Sequence, residues 1–350
     1  MDDVHARRLR LRAQRLEPRW DGGGASLARA VCGLQAQDPR AALLSVRVRT
    51  AGLTAAGVEA EPGLVRTWAW RGTLHLLAAE DLAWVHALVA PAALRGAGAR
   101  WRGLGLDAAI YERARAAIGA ALAEEGPLSR AQLRRRLAAA GVDASGQRLP
   151  HLVRRAALEG LLAARLDDTY AALAPPSPPP RELALAQLAR RYLAAYGPAE
   201  PRDLAAWSGL PAADVRGAWR QVEAELIEVT IGGRRAWRLG PGPPAEPAAA
   251  PPVVRLLPGF DTSLLGHHIR ALAVAAEHAR RVRPGGGWLH PVLLVDGRAA
   301  GTWSLRRRRD GVAIAVTPFA ALPDAAGPGL EAEAQDVGRF LGCGARLAVG

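Results

Sequence analysis

The 350 residues suffice for two to four small domains, each with a modest core. No stretch approaches the roughly 18 uninterrupted apolar residues of a membrane span, and the opening Arg/Leu alternation lacks a signal-peptide core, so a cytoplasmic protein with no membrane partner is expected. A formal charge of +13 points to a polyanionic partner, but the sequence has no lysine and no asparagine, a bias of GC-rich coding that weakens the inference.

In chain order, residues 25–33 and 39–48 predict helices, and 64–68 with 73–77 predict strands around a turn at Arg71-Gly72. A helix from about residue 79 and another from about 106 leave a break at 96–105. Residues 111–124 then predict a helix ended by Gly126-Pro127, and Ser129 caps a helix carrying Leu133 and Leu137. A third helix follows over 149–159, and 161–166 with 169–173 form a hairpin about Asp167-Asp168.

The same order recurs with greater clarity after the Pro/Ala-rich linker 174–180. A helix carrying Leu185, Leu188, Leu193 and Tyr196 stops at Gly197-Pro198, and helices over 201–207 and 211–225 follow. Strands over 227–231 and 236–239 flank the tight turn Gly232-Gly233. Helix, helix-turn-helix and hairpin is the winged-helix order. Beyond a second Pro/Ala linker, 241–252, strands over 253–257, 291–295, 301–305 and 312–316 with turns at Asp296-Gly297 and Asp310-Gly311 predict a small β-barrel-like cap, closed by a helix over 329–341. The expected fold is thus α+β, with winged helices over 1–100, 105–175 and 181–240 and the cap over 253–350.

Positive charge recurs on the second helices and wings, as at Arg130, Arg134, Arg135, Arg136, Arg154 and Arg155. Cys32 and Cys343 show no paired or zinc-type spacing, and the adjacent His267 and His268 lack an HExxH frame, so neither disulfide, metal nor cofactor is expected.

Particular strings carry a resemblance. Gly33-Leu34-Gln35-Ala36-Gln37-Asp38-Pro39 comes first, then Arg66-Thr67-Trp68-Ala69-Trp70-Arg71-Gly72-Thr73-Leu74-His75-Leu76. Leu257-Pro258-Gly259-Phe260-Asp261 leads to Leu265-Gly266-His267, and residues 291–297 lead to Gly301-Thr302-Trp303. In this order and spacing the chain resembles the AlkZ-like family of winged-helix DNA glycosylases. The resemblance implies a C-shaped array of three winged helices on double-stranded DNA. It also implies excision of bulky or crosslinking N7-alkylguanine, with Gln35 and Gln37 as the catalytic pair.

The chemistry of the residues narrows that role. An amide cannot titrate; it can orient a water through its carbonyl and stabilise charge through its dipole. Alkylation at N7 makes guanine cationic and already a good leaving group, so two amides suffice where a neutral base would need an acid. The geometry requires an extended or bent segment, and Gly33 before the pair with Asp38-Pro39 after it permits one. Asp38 reads first as the cap of the helix that Pro39 opens. Taken alone, the tripeptide also fits an ordinary interhelical loop. Without lysine no lysine Schiff base can form, and water is the expected nucleophile of a monofunctional glycosylase.

Candidate DNA contacts are Arg71, His75, Arg154, Arg155, Arg216 and Arg220. Arg71 reads equally as a phosphate contact or a solvated charge, and His75 reads first as a packed strand residue. The run Arg306 to Arg309 reads as a phosphate patch or a solubilised hairpin, and Asp261, His267 and His268 as a hydrogen-bonded brace between the cap and the last winged helix. The alternative function is a non-enzymatic winged-helix regulator reading the major groove, against which stands the lack of a separate sensing or dimerisation domain. A monomer is expected.

Overall fold

The computed structural model describes residues 1–174, 177–240 and 251–350, so the centres of both expected linkers lie outside the described residues. The chain mixes helix and sheet and divides into two compact units, Met1–Glu61 with Leu185–Gly350, and Pro62–Ala184. Among the described residues no helix is long and apolar enough to cross a membrane.

The first unit opens with a helix, Asp3–Ala13, that periodicity did not reveal. Asp2 caps it by accepting from the His5 amide at 2.7 Å, and only Ala6, Leu9 and Leu11 are buried among its arginines. Helices Gly24–Ala30 and Pro39–Arg47 follow as expected, and a short fourth one, Ala55–Ala60, is capped by the Thr54 hydroxyl.

The later part of this unit follows the expected order closely. Helices Arg181–Tyr196, Pro201–Ser208 and Ala212–Gln221 precede a hairpin of Leu226–Ile231 and Arg234–Leu239, with the unit boundary falling inside the first of them. Ile231 pairs with Arg234, leaving Gly232 (φ 55°) and Gly233 (φ 75°) as a two-residue loop, a conformation that β-carbon-bearing residues adopt only with strain. Ala199 and Trp237 exchange two backbone hydrogen bonds of 2.9 Å, tying the end of the first helix to the hairpin.

The C-terminal sheet corrects the expected barrel-like cap. Its order is Ala345–Val349, Gly311–Pro318, Arg298–Arg308, Val292–Val295, Val254–Leu257, an open sheet with the first and last as edges. The Ala345–Val349 strand, absent from the sequence reading, pairs parallel to Gly311–Pro318, and the other pairs are antiparallel. A parallel strand needs a crossover, and helix Gly327–Leu341 provides it. Its Leu330, Ala334 and Val337 pack with Val254, Leu256, Trp303 and Ile314 across one face, where a closed barrel would place its own strands. Arg306, Arg307 and Arg308 belong to the long strand rather than to a loop beside it.

In the second unit, hairpin Leu64–Trp68/Leu74–Ala78 and hairpin Leu162–Ala164/Thr169–Ala172 meet through Arg66 and Ala164. Arg66, only 7% exposed, donates to the Asp168 carboxylate at 2.9 Å and to the Arg165 carbonyl at 3.3 Å, which pins one hairpin to the turn of the other. The expected break at 96–105 is displaced: helix Leu82–Gly103 runs through Gly96 and Gly98, and the chain turns only at Gly105 (φ 66°). A helical glycine costs about 1 kcal/mol, less than the burial of Leu82, Val85, Leu88 and Val89 contributes. Helices Ala108–Glu125, Arg130–Ala139 and Arg148–Leu158 surround a core that includes Tyr111, Ile118, Leu133, Leu149 and Leu152. Ser129 and Gln132 form a reciprocal cap on the second of these helices.

Candidate active site

The Gln35-Ala36-Gln37 segment lies between two helices in the first unit. Helix Gly24–Ala30 ends in a tight reversal, with Cys32 at φ 59° and Gly33 at φ 93° and the Gly33 amide donating to the Ala28 carbonyl at 2.7 Å. Leu34 and Gln35 are then extended, and Gln37 and Asp38 form a bend. Asp38, at φ −105° and ψ 116°, accepts from the amides of Arg40 (2.8 Å) and Ala41 (3.2 Å) and starts the next helix with Pro39 at its first position. The non-helical geometry and the capping role of Asp38 are as the sequence led one to expect. Leu34 and Ala36 are fully buried, Gln35 is 9% exposed and Gln37 is exposed, so the backbone is clamped while one amide reaches solvent.

Buried charge anchors the helix that follows. Arg49, fully buried, grips Asp261 with two bonds of 2.7 and 2.8 Å and donates to the Gln14 side chain (3.1 Å) and the Ser45 carbonyl (3.1 Å). Asp261 also caps helix Thr262–Leu265. Burial alone would raise its pKa, but the Arg49 charge, with the Arg49 and Ser263 hydrogen bonds, holds the carboxyl below its ordinary value. Arg47, equally buried, donates to Glu333 (2.9 Å), Asp336 (3.2 Å) and the Leu256 carbonyl (2.8 Å). Glu333 is likewise pushed up by burial and held low on balance by Arg47, Arg19 and Arg255.

These partners show what the Leu257–His267 string does. Asp261 pairs with Arg49, just beyond the end of helix Pro39–Arg47, where the Arg181–Tyr196 helix was the expected partner. The rest of the string does brace that helix: His267 Nε2 lies 2.9 Å from the Tyr196 carbonyl, the Tyr192 hydroxyl donates to the Gly266 carbonyl at 2.6 Å, and the His268 amide donates to Asp203 at 2.8 Å. Burial, then the Arg10 charge, push the His267 pKa well down, so the ring is neutral. Gly266 is required by space, since a β-carbon there would lie 2.1 Å from the Tyr196 ring.

In the second unit, Arg71 is exposed at φ 53° at the hairpin turn, and the Arg154 guanidinium lies against the same turn, 3.3 Å from where a Gly72 β-carbon would be. The fold therefore brings Arg71 and Arg154 to one place. Arg155 turns away. Its guanidinium lies over Tyr111 (3.5 Å) and Trp101 (4.7 Å) and its Nε bonds Glu159 at 3.0 Å. His75 is 1% exposed, with Nδ1 3.1 Å from the Thr73 carbonyl. Burial, offset in part by that bond, takes its pKa down to about 3. It is a neutral imidazole donating through Nδ1, without a proton to give a leaving group near pH 7. Back in the first unit, Arg216 and Arg220 are exposed one turn apart on helix Ala212–Gln221.

A family described as DNA glycosylase AlkZ-like matches residues 28–340. The chain belongs to the AlkZ-like DNA glycosylase family. An "Interstrand DNA cross-link repair glycosylase" of Streptomyces sahachiroi is 30% identical over 362 aligned residues, covering 95% of each chain. The solved structure of the Streptomyces sahachiroi DNA glycosylase AlkZ aligns with a TM-score of 0.79 at 28% identity, over 100% of this chain and 99% of that one. Within this AlkZ-like chain, the groups that sequence reasoning missed are Gln14, Arg47, Arg49 and Glu333. One signal was present: Arg47 and Arg49 interrupt an otherwise apolar run, Leu43-Leu44-Ser45-Val46 to Val48, where a solvated arginine is out of place.

Proposed function

We propose that the chain is a monofunctional glycosylase that removes cationic N7-alkylguanine from duplex DNA, bulky adducts and interstrand crosslinks included, with Gln35 and Gln37 orienting the attacking water. The observation that carries this reading is the segment itself: two amides two residues apart on a non-helical stretch, extended at Leu34–Gln35 and bent at Gln37, clamped by buried Leu34 and Ala36 and by the Asp38 cap. The chain is extended at Gln35 and bends at Gln37, and in this reading the bend turns both amides toward one water. The water oxygen bonds to C1′ as the C1′–N9 bond breaks. The bond pair neutralises the departing cationic base, and the water proton passes to solvent. The lesion supplies the activation, in keeping with a His75 that is neutral and a sequence without lysine. The name of the Streptomyces sahachiroi relative favours crosslinks as one substrate class.

In this reading the DNA rests on three tandem winged helices followed by the C-terminal sheet, and the protein acts as a monomer. Helices Arg148–Leu158 and Ala212–Gln221 face the duplex. Arg71, Arg154, Arg216 and Arg220 contact phosphates, His75 shapes the hairpin beneath Arg71, and Arg155 braces the helix that presents Arg154.

Duplex carrying one N7-alkylguanine, incubated with protein and heated in alkali, should break at the lesion. Gln35→Ala and Gln37→Ala should each slow excision by about a hundredfold or more, with unchanged thermal midpoints. Intact DNA across several adducts, or full activity in the double variant, overturns the proposal. Duplexes with neutral lesions should remain whole.

A further inference from the structure

The segment after His268 has no part in the chemistry above, yet it builds a site. Of the ten tryptophans, Trp288 alone is exposed among the described residues, at 61%. It is held there: its ring tilts against Phe260 at 5.6 Å, its amide donates to the Gly285 carbonyl at 3.0 Å, and its neighbour Leu289 is buried and accepts from the Phe260 amide. Beside it opens a cavity of about 480 Å³ with Val274 and Val282 among its lining residues. Three arginines, Arg270, Arg280 and Arg283, line the same cavity, and no carboxylate does. Arg281 stacks on Phe319 at 4.4 Å and Val282 is buried, which fixes helix Ala279–Val282 while Arg280 and Arg283 stay exposed. Gly285 and Gly287 leave the rim without side chains, open to a close backbone approach.

An indole next to an apolar recess ringed by guanidinium groups matches one chemistry: a planar base carried on a phosphate. A cavity this size suits a single nucleotide. We infer that this cavity takes one unpaired nucleotide of the bound DNA, its base against Trp288 and its phosphates on Arg280 and Arg283. The inference rests on the reading of the chain as a DNA-acting glycosylase but not on the role of the glutamines. A bulky or crosslinked lesion disrupts pairing around it, and a pocket for the displaced nucleotide would favour such DNA over intact duplex. Phe260, against which Trp288 rests, is followed directly by Asp261, the buried partner of Arg49.

The test is fluorescence anisotropy of the full chain with two labelled duplexes, one fully paired and one with a single bulged nucleotide. Wild type should bind the bulged duplex about fivefold or more tightly. Trp288→Ala should abolish that preference and leave affinity for paired duplex within about twofold, and Trp288→Phe should keep most of it, as a stacking residue predicts. Arg280→Ala with Arg283→Ala should reduce the log-log salt slope on the bulged duplex by about two. Equal affinities in wild type, an undiminished preference in Trp288→Ala, or equal losses on both duplexes overturn the inference. Displacement of the bulged duplex by free mononucleotide at micromolar concentration overturns the DNA strand as occupant. The Gln35→Ala/Gln37→Ala variant should keep the preference, so a failure of the excision assay and a failure of this pocket are separate results.

Discussion

In the first unit two fully buried arginines, Arg47 and Arg49, hold the helix behind the glutamine segment through Glu333, Asp336 and Asp261. In the second unit the helices close on an apolar core of residues such as Ile118, Leu133 and Leu152, and its charged pairs, Arg66 with Asp168 and Arg155 with Glu159, stand at the margin of that core. The two constructions respond differently to change. Apolar packing tolerates small shifts of shape, whereas a desolvated ion pair contributes little net stability when intact and is strongly unfavourable when one member is lost. Its value is geometric, because a bidentate carboxylate admits one orientation of the guanidinium. Such rigidity suits the proposal that the amides of the preceding segment address one water.

The sharpest break in this comparison is Asp261→Ala, which strands a buried guanidinium. It should lower stability by about 3–5 kcal/mol, read as a drop in the urea midpoint, and reduce excision through misplacement of Gln35 and Gln37. Leu133→Ala in the second unit should cost about 2–5 kcal/mol, with excision per folded molecule little changed. If Asp261→Ala proves no worse than a surface change, the buried pair does not anchor the segment.

Acid should separate the units further. Asp261, Glu333 and Asp336 are held low by their arginines against the upward push of burial, so their contribution is present above the unfolded carboxylate range and is lost as pH falls through the lowered values. Burial takes His75 down to about 3 and His86 to about 4, and a base with a lowered folded pKa works on a different window. Its stabilisation is complete above 6.5, where the unfolded ring is neutral too, and declines as pH falls from 6.5 toward those values. Urea midpoints should therefore slope between pH 6.5 and about 4.5, less steeply in His75→Phe and unchanged in slope in Asp261→Asn. His267, held neutral in the first unit, adds to the same window.

Smaller effects complete the series. Arg155→Ala removes two ring stacks and a partly exposed ion pair and should cost about 1–2 kcal/mol. Arg216→Ala with Arg220→Ala should change stability by less than about 0.5 kcal/mol but lower the salt slope of DNA binding by about two. A loss of stability in that double variant would place those side chains in packing rather than at the DNA.

Local order was legible wherever one residue type decides a backbone conformation. Gly232-Gly233, the Asp38-Pro39 helix start and the Ser129 cap all fell where the sequence located them, and the Gln35–Gln37 stretch is non-helical for the reasons its flanking residues supply. What escaped depends on distant partners. Helix Asp3–Ala13 shows too few apolar positions to register as periodic, and it is helical because Ala6, Leu9 and Leu11 find a core. The parallel strand Ala345–Val349 exists because helix Gly327–Leu341 carries the chain back across the sheet. At the site, the packing of His75 in its strand was legible, but not the partner of Asp261, which lies 212 residues away.

The span of the ion pairs has a consequence for how the protein comes into being. Asp261 lies 212 residues beyond Arg49, and Glu333 lies 286 beyond Arg47. A ribosome making the chain releases both arginines long before either counterion emerges, and until then each must stay hydrated. The end of helix Pro39–Arg47 therefore gains its buried counterions only late in synthesis, whatever local structure the helix reaches before then. Contacts of such sequence separation also form slowly. Folding thus completes the buried ion pairs of the first unit only when nearly all of the molecule is present, long after Gln35 and Gln37 have been made.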